Sequence, residues 1–130
     1  MSRITTITRP SEPDDIAPDG SEVRILCRID GGSTAEFSLA PGKISRAVVH
    51  RTIEEVWYVL EGTGDMWRSV DDSPVYTELT AGTSLTIPVG TAFQFRSNGD
   101  VALRLLGLTI PQWPGGDEAM SVRGPWVPSA

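Results

Sequence analysis

Short apolar stretches alternate with polar turns along most of the chain. Val, Ile, Leu, Thr and aromatic residues dominate these stretches, and turn residues such as Gly, Pro, Asn and Asp stand between them. This is the pattern of β-strands joined by turns, and no segment keeps a 3.6-residue apolar period with helix caps. Many short strands at this spacing favour a sandwich or barrel. The pattern predicts an all-β domain with strands at about Val23–Ile29, Thr34–Leu39, Ile44–His50, Glu55–Leu60, Gly64–Val70, Val75–Leu79, Ser84–Ile87, Ala92–Arg96 and Val101–Ile110.

The two ends of the chain differ from the middle. Residues 1–20 contain three prolines and four acidic residues, so we expect an extended N-terminal arm. Residues 21–110 hold all the predicted strands and form the barrel domain. Residues 111–130 are a Pro-rich tail with Trp113 and Trp126. Because tryptophan buries a large apolar surface, we expect this tail to pack back on the barrel or on a second subunit.

His50 and Glu55 are the residues with the clearest chemical potential. A four-residue hairpin loop from Arg51 to Glu54 would place them opposite each other on neighbouring strands. Directly opposed side chains share one face, with Cβ atoms about 5 Å apart. A histidine and a carboxylate that face the same interior can bind a metal or move a proton.

Seven positions between residues 42 and 90 resemble the two sequence motifs of the cupin superfamily. The first motif, G-x5-H-x-H-x3–4-E-x6-G, is matched at Gly42, His50, Glu55 and Gly62. The second motif, G-x5-P-x-G-x2-H-x3-N, is matched at Gly82, Pro88 and Gly90. The resemblance implies a small single-domain cupin, with a double-stranded β-helix (jelly-roll) barrel.

The chain departs from the metal-binding members of that superfamily, which typically hold their ion with three histidines and one glutamate. Val48 and Phe93 occupy two of the histidine positions, and His50 is the only histidine of the chain. Catalytic zinc normally has three protein ligands, and a 2-His-1-carboxylate iron site needs two histidines. The resemblance therefore implies no tightly bound cofactor. A divalent metal held weakly by His50 and Glu55 stays open as an alternative.

The alternation of side chains along strands predicts which other residues face the interior. If His50 and Glu55 point inward, strand parity adds the predicted substrate-binding residues Arg46, Val48, Trp57, Phe93 and Phe95. An inward arginine at the barrel mouth would hold a substrate carboxylate. The alternative is a solvated Arg46 and an ordinary packed core.

Tyr58 has the opposite parity and is expected to face outward. With Val56 and Leu60 it forms an outward apolar strip, which invites a partner sheet. Cupins commonly dimerise through their sheets, so the resemblance and the strip together predict a homodimer.

Composition narrows the partners and the compartment. The 130 residues, of which 39% are hydrophobic, suffice for one domain with a core. The net charge of −6 and the eleven scattered Lys and Arg residues argue against nucleic-acid binding and against attachment to anionic lipid. No signal-peptide core and no run of about 20 apolar residues is present. A soluble cytoplasmic protein is expected.

Three functions remain open. The first is an enzyme that performs acid–base chemistry with His50 and Glu55, of the isomerase, epimerase, dehydratase or cyclase type, on a small carbonyl or carboxylic compound in the barrel cavity. The second is a metal-free cupin that binds or senses a small ligand without catalysis. The third is a metal-dependent enzyme with an atypical site. The pair itself can also be a cross-strand contact without chemistry.

Overall fold

The computed structural model describes residues 2–130, and nearly all of its regular structure is β-strand. The strands are β1 (Asp15–Ile16), β2 (Glu22–Ile29), β3 (Gly32–Leu39), β4 (Val48–His50), β5 (Glu54–Glu61), β6 (Gly64–Val70), β7 (Ser73–Leu79), β8 (Ser84–Ile87), β9 (Ala92–Ser97), β10 (Leu103–Ile110) and β11 (Ala119–Ser121). A 3-10 turn, η1, spans Gly116–Glu118. Within residues 2–130, no helix has the length and apolar character needed to cross a bilayer.

The strands form two antiparallel sheets that face each other. The six-stranded sheet has the order β1-β2-β3-β10-β5-β8, and the five-stranded sheet has the order β11-β4-β9-β6-β7. The all-β jelly-roll prediction is confirmed. The patterns missed only the two terminal strands, β1 against β2 and β11 against β4, which are too short to show a period.

The hairpin predicted between His50 and Glu55 is wrong. β4 pairs with β9 and β11, whereas β5 pairs with β10 and β8, so the loop after His50 crosses from one sheet to the other. The amides of Thr52 and Ile53 in this loop donate to the Glu118 carboxylate instead of to a neighbouring strand. His50 and Glu55 therefore face each other across the interior rather than lying side by side.

The core lies between the sheets and follows the predicted alternation on β5. Trp57 and Val59 are buried, while Tyr58 is 46% exposed on the outer face. The Trp57 ring meets Phe93 and Phe95 edge-on, with centroids 5.5 and 5.1 Å away. Edge-to-face rings add to the stability gained by burial. The buried cluster comprises Leu39, Val48, Trp57, Val59, Met66, Leu79, Leu85, Ile87, Phe93, Phe95, Leu103 and Leu105.

Two glycines allow close approaches that this core requires. Gly62, the last glycine of the first motif, has φ +90°, and a Cβ there would lie 2.6 Å from the Ala102 carbonyl oxygen. Only glycine adopts this backbone without strain. On β10, a Cβ at Gly107 would overlap the Phe37 ring. Gly107 therefore provides the space that Phe37 occupies in the interior.

The N-terminal residues run along the outer side of β2 and β3 and are held by charge. Arg9 pairs with Glu36 at 2.8 Å. Glu36 is 3% exposed and also pairs with Arg104 at 3.2 Å. Arg24 lies 3.9 Å from the same carboxylate and donates to the Pro10 carbonyl. A buried carboxylate needs such partners, because an unpaired buried charge is costly.

Near the C-terminus, Trp126 lies against Gln94 on the outer side of the five-stranded sheet. The Gln94 side chain donates to the Trp126 carbonyl at 2.9 Å and accepts from the Trp126 amide at 3.1 Å. The amides of Ser129 and Ala130 both donate to the Ile44 carbonyl. The buried side-chain amide of Gln94 thus makes the pair of hydrogen bonds to the tail backbone that a neighbouring strand would make.

Candidate functional site

A cavity of about 440 Å³ lies between the inner face of the six-stranded sheet and β4 and β9. Aromatic side chains form much of its wall, namely Phe37, Trp57, Phe93 and Trp113. Residues 15–19 and the tail residues Gln112, Trp113 and Gly116 also line it. A mostly apolar cavity with a few polar groups is typical of small-molecule sites. Both terminal segments therefore take part in building this one.

His50 and Glu55 meet inside this cavity. His50 ends β4, Glu55 lies near the start of β5, and His50 Nδ1 is 3.2 Å from Glu55 Oε2. The side chains are 6% and 2% exposed. Within residues 2–130, His50 Nδ1 and Glu55 Oε1 have no partner in hydrogen-bond geometry, and neither has Trp57 Nε1. Buried polar atoms without partners are rare and costly, so a ligand in the cavity would satisfy them.

Aromatic rings fix the orientation of the His50 imidazole. The Phe93 ring lies edge-on at 5.2 Å between centroids, and the Trp113 ring of the tail lies edge-on at 5.4 Å. The backbone of His50 is held as well, because it pairs with Ala119 of β11. The imidazole is therefore positioned by the second motif on one side and by the C-terminal tail on the other.

Glu118 holds the loop that separates His50 from Glu55. Its carboxylate accepts hydrogen bonds from the Thr52 amide at 2.6 Å, from the Thr52 hydroxyl and from the Ile53 amide at 3.2 Å. Burial alone would raise the pKa of Glu118, but these hydrogen bonds outweigh burial and hold the pKa below the ordinary value of 4.5. An ionised carboxylate thus fixes the loop that joins the two sheets.

Asp19 is a third acid of the cavity, which the sequence patterns did not reveal. It is 5% exposed, and its Oδ1 accepts from the amide and the hydroxyl of Ser21, at 2.9 and 2.6 Å. Burial raises the pKa of Asp19, the Ser21 hydrogen bonds oppose this, the Glu55 charge adds to the rise and the His50 charge opposes it. The sequence signal was a single Asp-Gly-Ser turn in a segment expected to be an arm.

The predicted substrate-binding residues divide into two groups. Val48, Trp57 and Phe93 line the cavity together with His50 and Glu55. Phe95 faces inward but lies in the packed core, fully buried against Trp57 and outside the cavity lining. Strand parity gives the face of a residue but not its depth, which is why Phe95 was misplaced.

The inward orientation predicted for Arg46 is wrong. Its side chain is exposed and does not line the cavity. The expected strand is irregular before β4: Ser45 bonds to Phe95, and the Arg46 amide bonds to the Asp19 carbonyl. Ala47 and Val48 are both buried, so the alternation breaks between them.

The donor set does not fit a metal ion of the kind that many cupins hold. Val48 and Phe93, at the two missing histidine positions, are register partners on β4 and β9 and are 2% and 1% exposed. Within the described part of the chain, no group of three or more His, Cys, Asp and Glu side chains is placed to hold a metal. Apolar side chains therefore occupy the positions of the missing ligands. One imidazole and one carboxylate are too few ligands to hold a metal ion tightly.

The comparisons with known proteins identify the family. A family model described as a cupin domain matches residues 35–110. The chain belongs to the cupin family. No curated protein sequence matches it.

Several solved structures share the fold. The capsular polysaccharide assembling protein CapF of Staphylococcus aureus has a TM-score of 0.73 at 16% identity, over 85% of this chain and 34% of CapF. A variant of Streptomyces PAC13 with uridine has a TM-score of 0.70 at 14% identity, over 95% of this cupin and 93% of PAC13. Bacillus subtilis oxalate decarboxylase, with Mn(II) centres, has a TM-score of 0.69 at 19% identity, over 86% and 30%. The chain thus spans about a third of CapF, and these likenesses show the fold alone.

Proposed function

We propose that this cupin is an enzyme that moves protons with His50 and Glu55, of the isomerase, epimerase, dehydratase or cyclase type, on a small carbonyl or carboxylic compound. The observation that carries the proposal is the meeting of both side chains in the cavity, 3.2 Å apart, with His50 Nδ1 and Glu55 Oε1 lacking hydrogen-bond partners among residues 2–130. A buried base beside an orienting partner is the arrangement that general acid–base catalysis requires.

The chain's own residues suffice for such a step. Glu55 orients the imidazole of His50, and His50 accepts a proton from an acidic C–H or O–H of the substrate. The aromatic wall of Phe37, Trp57 and Trp113 excludes water, which strengthens every polar contact at the site. No step passes through a metal.

A basic side chain at the edge of the cavity favours an anionic or polar substrate. Arg28 of β2 lines the cavity, and it has no ion pair among the described residues. An unpaired guanidinium is suited to bind a carboxylate in bidentate fashion. Arg28 thus takes the part that the sequence suggested for Arg46. The uridine in PAC13, a cupin of similar length, supports the view that this fold holds small polar molecules.

Solvent-deuterium exchange tests the proposal without knowledge of the product. A panel of small ketones, aldehydes and keto acids is incubated with the protein in D₂O, and NMR follows exchange at the carbon next to the carbonyl. Wild type is expected to catalyse exchange in one compound class, and His50→Gln and Glu55→Gln to lose about 100-fold or more of that rate.

Glu54→Gln is the matched control, because Glu54 is the exposed neighbour of Glu55 on the same strand. Its rate should equal that of wild type. Exchange that persists in His50→Gln and Glu55→Gln would refute the proposal.

A binding role is the second candidate, and the Trp113 contact favours it. The ring of this tail residue lies 5.4 Å from the His50 imidazole between centroids, which would restrict the approach of a reacting atom. A thermal-shift screen of the same compounds separates the two functions, since a ligand of the folded state raises the apparent stability. Ligands that raise the melting temperature but never exchange would indicate a binding or sensing cupin.

We also propose that two copies pair through the outer face of the six-stranded sheet. Val56, Tyr58 and Leu60 are 39%, 46% and 39% exposed there. Leu108 of β10, 37% exposed, is the register partner of Val56 and extends the same apolar strip. Light scattering should give a dimer for wild type and a monomer for Tyr58→Lys, because a lysine would bring an unpaired charge into the interface.

A further inference from the structure

We propose that Asp19 is a third catalytic residue of the cavity, a general acid that delivers its proton to the carbonyl oxygen of the substrate. The inference rests on the proposed function and extends it. Asp19 lies on the turn between β1 and β2, outside the region that matches the family model, and it lines the same cavity as His50 and Glu55.

The placement of charge explains why the proton resides on Asp19. The cavity brings together two buried carboxyl groups, Asp19 and Glu55, and one imidazole. Glu55 Oε2 lies 3.2 Å from His50 Nδ1, so a positive charge that forms on the imidazole is paired at once, whereas Asp19 has no ion pair among residues 2–130. Two buried carboxyl groups that share one site do not both ionise readily. Asp19, the carboxyl without a basic neighbour, is the one that retains its proton.

The hydrogen bonds of Asp19 leave one oxygen for the substrate. Both donors of Ser21 bond to Oδ1, so Oδ2 has no bond to the described residues. The other ionisable groups that line the cavity are His50 and Glu55 inside it and Asp15 and Arg28 nearer the surface. Burial, the leading cause, raises the pKa of Asp19 in agreement with this arrangement.

The proposed step is balanced by the side chains alone. His50 takes the proton from the carbon next to the carbonyl, and the electron pair of that C–H bond forms the C=C bond of an enol. The electrons of the C=O π bond move to the oxygen, which takes the proton of Asp19. Return of a proton to carbon and of the O–H proton to Asp19 regenerates the enzyme, so no oxidant or reductant is needed.

The first test combines substitution with a pH profile of the exchange reaction. Asp19→Asn keeps the Oδ1 acceptor for Ser21 but has no carboxyl proton, so the exchange rate at saturating compound should fall about 100-fold with little change in KM. Asp100→Asn, at an exposed loop position, is the control. Wild type should lose rate as the pH rises through the pKa of Asp19, and this alkaline limb should be absent from the residual rate of Asp19→Asn.

A second variant tests the role of Asp19 by changing its pKa. Ser21→Ala removes a hydrogen bond that favours the ionised carboxylate, so the pKa of Asp19 should rise further. The alkaline limb should then move to higher pH while the rate on the plateau is retained. An unchanged limb in Ser21→Ala would overturn the role of Asp19, and so would a full rate in Asp19→Asn.

A titration of the protein alone separates this inference from the proposed function. Carboxyl ¹³C NMR, with the signal assigned by its loss in Asp19→Asn, should give Asp19 a pKa above the ordinary value of 3.8. If its pKa lies at or below that value, the inference fails. If His50→Gln abolishes exchange while Asp19→Asn does not, the proposed function stands and only the inference is lost.

Discussion

Removal of the Glu118 carboxylate should destabilise the protein, because Glu118 holds the loop between the two sheets. Glu118 accepts three hydrogen bonds, two from Thr52 and one from the Ile53 amide. A hydrogen bond to a charged group contributes about 1.5–3 kcal/mol. Thr52 is exposed, so water can replace the carboxylate there, whereas Ile53 is 0% exposed and its amide would lose its acceptor. The expected cost of Glu118→Ala is therefore about 2–3 kcal/mol, well below the sum of three bonds.

Urea denaturation of four proteins measures this cost. Glu118→Gln keeps one side-chain oxygen but loses the charge, and it should lose about 1 kcal/mol. Asp117→Ala removes the exposed acidic neighbour, and its free energy of unfolding should stay within about 0.5 kcal/mol of wild type. An unfolding midpoint of Glu118→Ala equal to that of Asp117→Ala would refute the reasoning.

The pH dependence adds an independent check on Glu118. Its pKa in the folded protein lies below the ordinary value of 4.5, so the unfolded chain binds the proton first as the pH falls. The contribution of the carboxylate is complete above pH 4.5 and is lost as the pH falls through the lower folded-state pKa. The stability difference between wild type and Glu118→Gln should therefore be constant at neutral pH and shrink in acid.

Three further outcomes are expected. Gly107→Ala should lower the free energy of unfolding by about 1–3 kcal/mol, because the added methyl group overlaps the Phe37 ring. Gly31→Ala, with open space around the added methyl group, should leave the stability unchanged. Equal urea midpoints for the two variants would contradict this prediction. The stability of wild type relative to Asp19→Asn should fall as the pH rises above 3.8, because Asp19 stays protonated to higher pH in the folded protein than in the unfolded chain. If the free energies of unfolding of the two proteins, measured in urea, change with pH in parallel, the prediction is wrong. The double change Val48→His and Phe93→His should create a zinc site together with His50 and Glu55. Elemental analysis after dialysis should then find about one zinc ion per chain. A zinc content equal to that of wild type would contradict the pairing of residues 48 and 93 on neighbouring strands.

The parts of the fold that follow from local pattern were predictable. β5 pairs with β10 along its length and with β8 from Glu55 to Tyr58, so its side chains alternate between the two faces as far as Leu60, and the inward placement of Trp57 and Val59 was correct. The segment before β4 has no such continuous pairing, and the predicted orientation of Arg46 failed there. The local sequence predicts which face a side chain takes where the strand pairing is regular. It fails where isolated hydrogen bonds to distant segments determine the backbone conformation.

The site was predictable only in part for the same reason. The motif spacing brought His50 and Glu55 together, although through a crossing loop rather than the expected hairpin. The turn that carries Asp19 is held by the Asp14 amide on Val23 of β2 and by the Ala17 amide on Ser21, and Glu118 reaches the loop from 66 residues away. Neither contact leaves a periodic trace in the sequence.

The crossing of the chain after His50 places His50 and Glu55 on separate layers. Their separation therefore depends on the packing between those layers, which includes the edge-to-face rings of Trp57 and Phe93. Changing the volume of either ring should move the His50 imidazole relative to the Glu55 carboxylate without altering either of them. Changes in these two rings, which also line the cavity, should consequently alter the spacing of the pair together with the shape of the space for a ligand.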